Sequence, residues 1–297
     1  MEHNNCKLCP RNCNADRDGA NRGFCGETST VRVARAALHM WEEPCISGTR
    51  GSGTVFFSGC VLRCVYCQNG RVADGTIGKE ITIERLAEIF LEQQERGAHN
   101  INLVTPTHFV PQIVKALRIA KENGLIIPIV YNTGSYENTD TIKMLDGLID
   151  VYLPDLKYCS SELSKKYSQA ENYFEVAKAA IAEMVRQAGK PSFDGDIMTK
   201  GVIVRHLMLP GCIKDSKEVV KYLYETYGND IYISIMNQYT PMQGIENRYP
   251  ELARTVKKCE YDRLVDYAIE LGVENGFIQE GETAKESFIP DFDMKGI

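Results

Sequence analysis

The chain has 297 residues, 43% of them hydrophobic and 25% charged, enough to bury a substantial core without disulfide staples. Its formal net charge of −6 argues against a general attraction to nucleic acid backbones or anionic membranes. No stretch approaches the roughly 20 apolar residues of a membrane span, and the opening MEHNNCKLCPRNC has neither the basic start nor the apolar core of a signal peptide, so a cytoplasmic protein is expected.

Eleven cysteines in such a chain point to metal or redox chemistry rather than a disulfide framework. Residues 1–50 read as an irregular, cysteine-rich N-terminal module. In it Cys6, Cys9, Cys13 and Cys25 lie among Gly, Asn, Asp and Arg residues that favour turns. Four thiols complete either a zinc site or an iron–sulfur cluster, and spacing does not separate the two. Cys45 is a further candidate for that set. A short apolar alternation, VRVARAAL, follows the cysteines, and EEPCISGTRGSG reads as a connector.

From residue 54 short apolar runs alternate with helical patterns. The runs are TVFFSG, NINLVT, IPIVYN, IDVYLPD, GVIVRHLMLP and DIYISIMNQY. Between them lie TIERLAEIFLEQQERG, where Leu86, Ile89 and Phe90 share a face, PQIVKALRIAKENG ending on Gly124, ENTDTIKMLDG, YFEVAKAAIAEMVRQAG and SKEVVKYLYETYG. Six strand–helix repeats predict an α/β fold with a parallel sheet covered by helices, as an open sheet or a partial barrel. Either form places the working site at the carboxyl ends of the strands. The unusual segments SGC, TPTH, NTGSY, PDLKY and NQYTPM cluster there.

Directly after the first run, GCVLRCVYCQNG sets Cys60, Cys64 and Cys67 in a C-x3-C-x2-C array. A closed zinc site takes four protein ligands, whereas three thiolates on a tight loop suit a 4Fe–4S cluster with one iron left open. A zinc or redox site, or plain buried thiols, is the alternative.

That array on that loop resembles the signature of the radical S-adenosylmethionine (SAM) superfamily. The resemblance implies a partial (β/α)6 barrel over residues 51–297, with a C-terminal helical extension. It also implies a 4Fe–4S cluster on Cys60, Cys64 and Cys67 whose open iron is chelated by the methionyl amino and carboxylate groups of SAM. Reductive cleavage of the C5′–S bond then yields a 5′-deoxyadenosyl radical that abstracts a hydrogen atom. GCVLRCVYCQN, YLPDLKY and VRHLMLPG resemble segments of the pyruvate formate-lyase activating enzyme branch. CKLCPRNC with GFCG, EEPCISGTRGSGTVFFSGC, NINLVTPTHFVPQI, PIVYNTGSYE and IMNQYTPM resemble a poorly characterised group of activating-enzyme-like proteins.

By the same resemblance, Tyr66 occupies the aromatic position whose backbone meets the adenine, and Asp155 and Lys157 match a segment reaching SAM, where the lysine can pair with the methionyl carboxylate. Asn132 and Thr133 match a region near the ribose or a structural cation. Gln238 and Tyr239 stand where a ribose-contacting histidine is frequent. Val104-Thr105-Pro106-Thr107-His108 replaces a Gly-Gly-Glu segment that bonds the methionyl amino group, which leaves Thr105, Thr107 or backbone carbonyls for that bond.

Of the remaining residues, Arg205 facing an anionic group with His206 packed against a helix is the expected arrangement of that strand. His108 either faces substrate or caps the next helix. Trp41 is read as packing, and Cys212 as a thiol near the mouth. The implied activity is hydrogen abstraction, with a glycine of a partner protein as substrate and an electron donor such as flavodoxin or ferredoxin. Alternatives are action on a small molecule, peptide or RNA, and a noncatalytic iron–sulfur protein for electron transfer or redox sensing.

Overall fold

The apolar runs become strands because nearly every residue in them is covered on both faces. The computed structural model describes residues 6–19, 22–279, 290 and 292–297. Its strands are β1 (Val31–His39), β2 (Ser52–Phe57), β3 (Lys79–Ile81), β4 (Ile101–Val104), β5 (Ile129–Thr133), β6 (Val151–Pro154), β7 (Ser192–Asp194), β8 (Ile197–Leu207), β9 (Tyr232–Met236) and β10 (Gly276–Ile278). They form one sheet in the order β10-β9-β8-β6-β5-β4-β2-β1-β3, with β7 paired to β8. From β10 to β2 every neighbouring pair on that path is parallel, while β1 runs antiparallel to both β2 and β3. The path ends in two edges, so among the described residues the sheet does not close on itself.

The six expected strands are β2, β4, β5, β6, β8 and β9. β10 adds a seventh parallel strand that carries no apolar signal, being three residues long and mostly exposed. The VRVARAAL alternation is β1, buried at Val31, Val33, Ala34 and Ala36, so the N-terminal segment contributes a strand to the sheet. No helix or strand lies among the described residues from 6 to 30.

Helices pack along the sheet by apolar stripes. In Ile83–Glu95 the stripe includes Leu86, Ile89 and Phe90, and Thr82 Oγ1 caps the helix by accepting from the Arg85 amide at 3.1 Å. Val110–Glu122 ends before Gly124, whose φ of +97° is the left-handed conformation of a helix stop. Tyr173–Ala188 and Ile213–Tyr227 follow the expected boundaries closely. Ser161–Ser168 is a further helix after the PDLKY segment; Ser160 caps its start and Gln169, at φ +52°, ends it. Lys258–Leu271 is the C-terminal helix and leads into β10. Among the described residues no helix is long and apolar enough to cross a membrane.

The cysteine-bearing loop docks by polar bonds rather than regular structure. Thr141 Oγ1 donates to the Leu8 carbonyl (2.8 Å) and Asn138 Nδ2 to the Lys7 carbonyl (2.7 Å). Arg17 bridges the carbonyls of His108 and Thr28. At the other terminus the Ala36 amide donates to the Lys295 carbonyl at 2.9 Å, and Phe292 meets Phe56 edge-on at 5.3 Å.

Candidate active site

β2 delivers the three-cysteine loop to the carboxyl edge of the sheet. Gly59 makes the exit with φ +83°; a Cβ there would lie 2.5 Å from Glu27 Cγ and 2.8 Å from the Cys25 carbonyl oxygen, so only glycine fits. The Cys67 amide donates to the Cys64 carbonyl at 3.0 Å, closing a tight turn. Two donors point at sulfur: the Leu62 amide at Cys60 Sγ (3.4 Å) and Ser168 Oγ at Cys64 Sγ (3.0 Å). Burial pushes the Cys67 thiol up to about 12, with Cys64 and Cys60 adding to the rise. Burial also raises Cys64, against the pull of Lys157. Loading a metal here therefore displaces protons. Three thiols on one tight loop, two of them with a hydrogen-bond donor aimed at sulfur, fit the donor set of an iron–sulfur cluster. Among the described residues no three Cys, His, Asp or Glu side chains converge closely enough to grip one ion directly.

One cavity at the strand ends is lined by Cys60, Cys64, Tyr66 and Cys67 from the loop, Thr105 after β4, Asn132 on β5, Asp155 and Lys157 after β6, Arg205 on β8 and Gln238 after β9. The sequence candidates for the catalytic loop and the cofactor site thus share one space. Lys157 Nζ lies 2.5 Å from Asp155 Oδ2. Burial alone would lower that lysine, but Asp155, helped by Cys64 and Tyr173, raises it well above its usual value, so it is a cation. The Tyr173 hydroxyl holds this turn, accepting from the Lys157 amide at 3.0 Å and lying 2.8 Å from the Asp155 carbonyl.

Thr105 has φ +58°, a left-handed conformation costly for a β-branched residue. Its amide donates to the Asn132 carbonyl at 2.9 Å. The Thr107 hydroxyl is committed to Glu137 Oε1 (2.7 Å), which leaves Thr105 the better placed of the two threonines. Glu137, which sequence reasoning missed, lies buried behind the lining residues Thr107 and Thr133. It is 2% exposed, and Oε1 also accepts from Thr133 and Tyr131. Burial raises its carboxyl above the usual range.

Several expectations change. The anionic partner of Arg205 is supplied by the chain itself: its guanidinium pairs with Glu43 (Nε to Oε1, 2.9 Å) and with Glu42, all three side chains buried. Nothing in EEPC read alone as a connector marked those two carboxylates. His206 is buried, and its Nδ1 meets the Leu156 carbonyl at 2.8 Å. His108 neither faces the cavity nor caps a helix by side chain, since Nε2 donates to the Ser58 carbonyl at 2.6 Å. Burial lowers His108 to about 3 and His206 to about 4, so both are neutral. Trp41 is 58% exposed and lines the cavity. Cys212 lines a separate surface pocket with Cys159 and Asp215. Cys45 packs with Ile46, Val130 and Ile203, whereas Cys9 and Cys25 belong to the other core.

The four N-terminal thiols gather beside the cysteine loop without lining its cavity. Burial raises Cys9 to about 12, with Cys25 and Cys6 contributing, and burial raises Cys25, with Cys6 and Cys13 contributing.

The pattern that defines the radical SAM superfamily matches residues 54–223, from within β2 into the helix after β8. The chain is a radical SAM protein. An uncharacterized protein of Methanocaldococcus jannaschii is 27% identical over 273 residues, covering 89% of this chain and 74% of that one. Among solved structures, Streptococcus suis SuiB bound to precursor peptide SuiA matches with a TM-score of 0.51 at 15% identity, over 75% of this chain and 47% of SuiB. This radical SAM chain therefore spans about half the length of SuiB. Methylornithine synthase matches with a TM-score of 0.50 at 17% identity, over 88% of this chain and 78% of that one. These likenesses are of fold. As a member of the superfamily the protein is a radical SAM enzyme, with a 4Fe–4S cluster and SAM as its cofactors.

Proposed function

We propose that Cys60, Cys64 and Cys67 hold the 4Fe–4S cluster and that SAM occupies the cavity beside it, in an oxidoreductase that abstracts hydrogen from a substrate at the cavity mouth. A cluster held by these three thiolates would supply the one electron needed for reductive cleavage of the C5′–S bond of SAM to methionine and a 5′-deoxyadenosyl radical. The observation that carries the reading is the convergence of the three thiols with the Asp155–Lys157 pair on one cavity.

Within it the Lys157 ammonium, fixed by Asp155, receives the methionyl carboxylate. Thr105, on its strained turn, and Asn132 receive the amino and ribose groups. Tyr66 offers its backbone to the adenine, its side chain being turned inward to Tyr158. Gln238 stands on the ribose side. Arg205 lines the same wall with its charge already matched by Glu42 and Glu43, which makes it a support of that wall. The enclosing residues position the reacting atoms and exclude water.

For the substrate, the likeness of GCVLRCVYCQN, YLPDLKY and VRHLMLPG to activating enzymes supports a glycine in a partner protein. A flavodoxin or ferredoxin in the cytoplasm is the matching electron source. Cys6, Cys9, Cys13 and Cys25 are read as ligands of a second metal centre. An iron–sulfur cluster is favoured there over zinc because the chain already receives iron and sulfide. Residues 1–50 then form a metal-bearing module on the core of residues 51–297.

The deciding experiment is 5′-deoxyadenosine formation from SAM and dithionite by the anaerobically reconstituted protein, beside a Cys60→Ala, Cys64→Ala, Cys67→Ala variant. Product from the wild type alone supports the reading, whereas no product from a fully loaded wild type sinks it in favour of electron transfer or sensing. Metal analysis of the same triple variant separates residual iron from zinc at the N-terminal thiols.

A further inference from the structure

The strand ends explain the cavity, but not why a helix absent from the sequence pattern ends against the cysteine loop. Ser168 is the last residue of that helix and is fully buried. Its Oγ lies 3.0 Å from Cys64 Sγ and 3.0 Å from the Tyr158 hydroxyl. The Tyr158 hydroxyl in turn lies 2.6 Å from that of Tyr66. We propose that Ser168 is a positioning residue that raises the reduction potential of the iron–sulfur cluster by donating a hydrogen bond to the Cys64 sulfur, with Tyr158 and Tyr66 fixing the direction of that bond.

The direction follows from donor counting. A metal-bound thiolate has no proton and can only accept, so the Ser168 proton points at sulfur. Tyr158 must then donate to Ser168, and Tyr66 to Tyr158, giving one-way polarisation that strengthens the last bond.

The geometry is also braced. The Val65 amide donates to the Tyr167 carbonyl at 2.9 Å, tying the helix end to the cysteine loop. Arg11 donates from Nη2 to the Ser168 carbonyl (3.1 Å), from Nη1 to Gln169, and from Nε to the Val61 carbonyl (2.9 Å). One guanidinium therefore clamps both sides of the Ser168–Cys64 contact. Hydrogen bonds to cluster sulfurs are among the levers that set potential, because they stabilise the more negative, reduced state more than the oxidised one. Ser168 thereby eases reduction by a cellular donor.

This inference rests on the cluster being held by Cys60, Cys64 and Cys67, and the test keeps the two apart. Full-length wild type, Ser168→Ala, Ser168→Thr and Tyr158→Phe are reconstituted anaerobically, assayed for iron and sulfide, and titrated potentiometrically by electron paramagnetic resonance without SAM. At the wild-type midpoint, Ser168→Ala is expected to show a reduced-to-oxidised ratio roughly tenfold lower, a shift of about 59 mV for one electron. Ser168→Thr, which keeps the hydroxyl, stays with the wild type, and Tyr158→Phe moves down by less than Ser168→Ala. An unchanged midpoint in a fully loaded Ser168→Ala overturns the inference and leaves the cluster assignment standing. Should Ser168→Ala fail to load, Tyr158→Phe decides: a lowered midpoint supports the relay and an unchanged one overturns it. A wild type that loads no cluster overturns both.

Discussion

Arg11 and Val61 are joined across fifty residues of sequence by a 2.9 Å bond from Nε to the carbonyl next to Cys60. The same guanidinium sits 3.9 Å over the Phe24 ring. Arginine suits this post because its planar fork serves several carbonyls while its face stacks, which an ammonium cannot do. Arg11→Lys is therefore expected to behave like Arg11→Met. Both should lose about 1.5–3 kcal/mol, the worth of hydrogen bonds to a charged group, in anaerobic denaturant unfolding. They should also release iron faster in air, and a variant as stable as the wild type would remove Arg11 from this role.

Lys157 offers a test of the cofactor wall. Lys157→Ala is expected to weaken SAM binding roughly ten- to hundred-fold, the equivalent of one charge-assisted bond, with iron content unchanged. Anaerobic calorimetric titration with SAM reads this directly, and unaltered affinity would take Lys157 out of the site.

The Arg205 cluster predicts a stability effect of a different size. Glu43 is held below the usual carboxylate range because Arg205 overcomes the burial that would raise it. Arg205→Met leaves Glu42 and Glu43 buried together without their cation, a change expected to cost about 3–5 kcal/mol. The check is chemical unfolding at pH 7. Arg205→Met with Glu42→Gln and Glu43→Gln should recover part of the loss, because the stranded charges are gone.

The two buried imidazoles make stability pH-dependent. In the folded chain His108 protonates at about 3 and His206 at about 4, while an unfolded histidine does so near ~6.5. Between these values the unfolded state binds more protons, so stability is full above about pH 6.5 and falls as pH drops toward 4. Glu137, raised by burial, acts with the opposite sign. The comparison is therefore the difference between wild type and His108→Gln. Denaturant midpoints should converge as pH falls from 7 to 5, and a constant gap would show that His108 does not titrate as described.

Much of the fold was legible because a parallel sheet covered on both faces writes itself as apolar runs, and β2, β4, β5, β6, β8 and β9 each carry one. β10 was not, since Gly276–Ile278 gains its place from β9 and not from its own composition. The site was legible where chemistry is concentrated in spacing, as at Cys60, Cys64 and Cys67. It was opaque where partners come from distant segments. Glu42 and Glu43 look like surface charge until Arg205 arrives from β8. Ser168 looks like an ordinary helix residue until its helix ends at Cys64. Thr105 gave no sign of its positive φ, because β-branched residues rarely adopt it.

The anchoring of the first cysteines has a consequence for how the protein is made. Leu8 is secured by Thr141, 133 residues later, and Arg11 by Ser168, 157 residues later. A ribosome therefore releases Cys6, Cys9, Cys13 and Cys25 long before the surfaces that shelter them exist. Until those 133 to 157 further residues are made, these thiols trail without the contacts that anchor them, open to oxidants and to stray metals. Correct maturation of this enzyme thus depends on the chemistry of the surroundings during translation as much as on the finished fold.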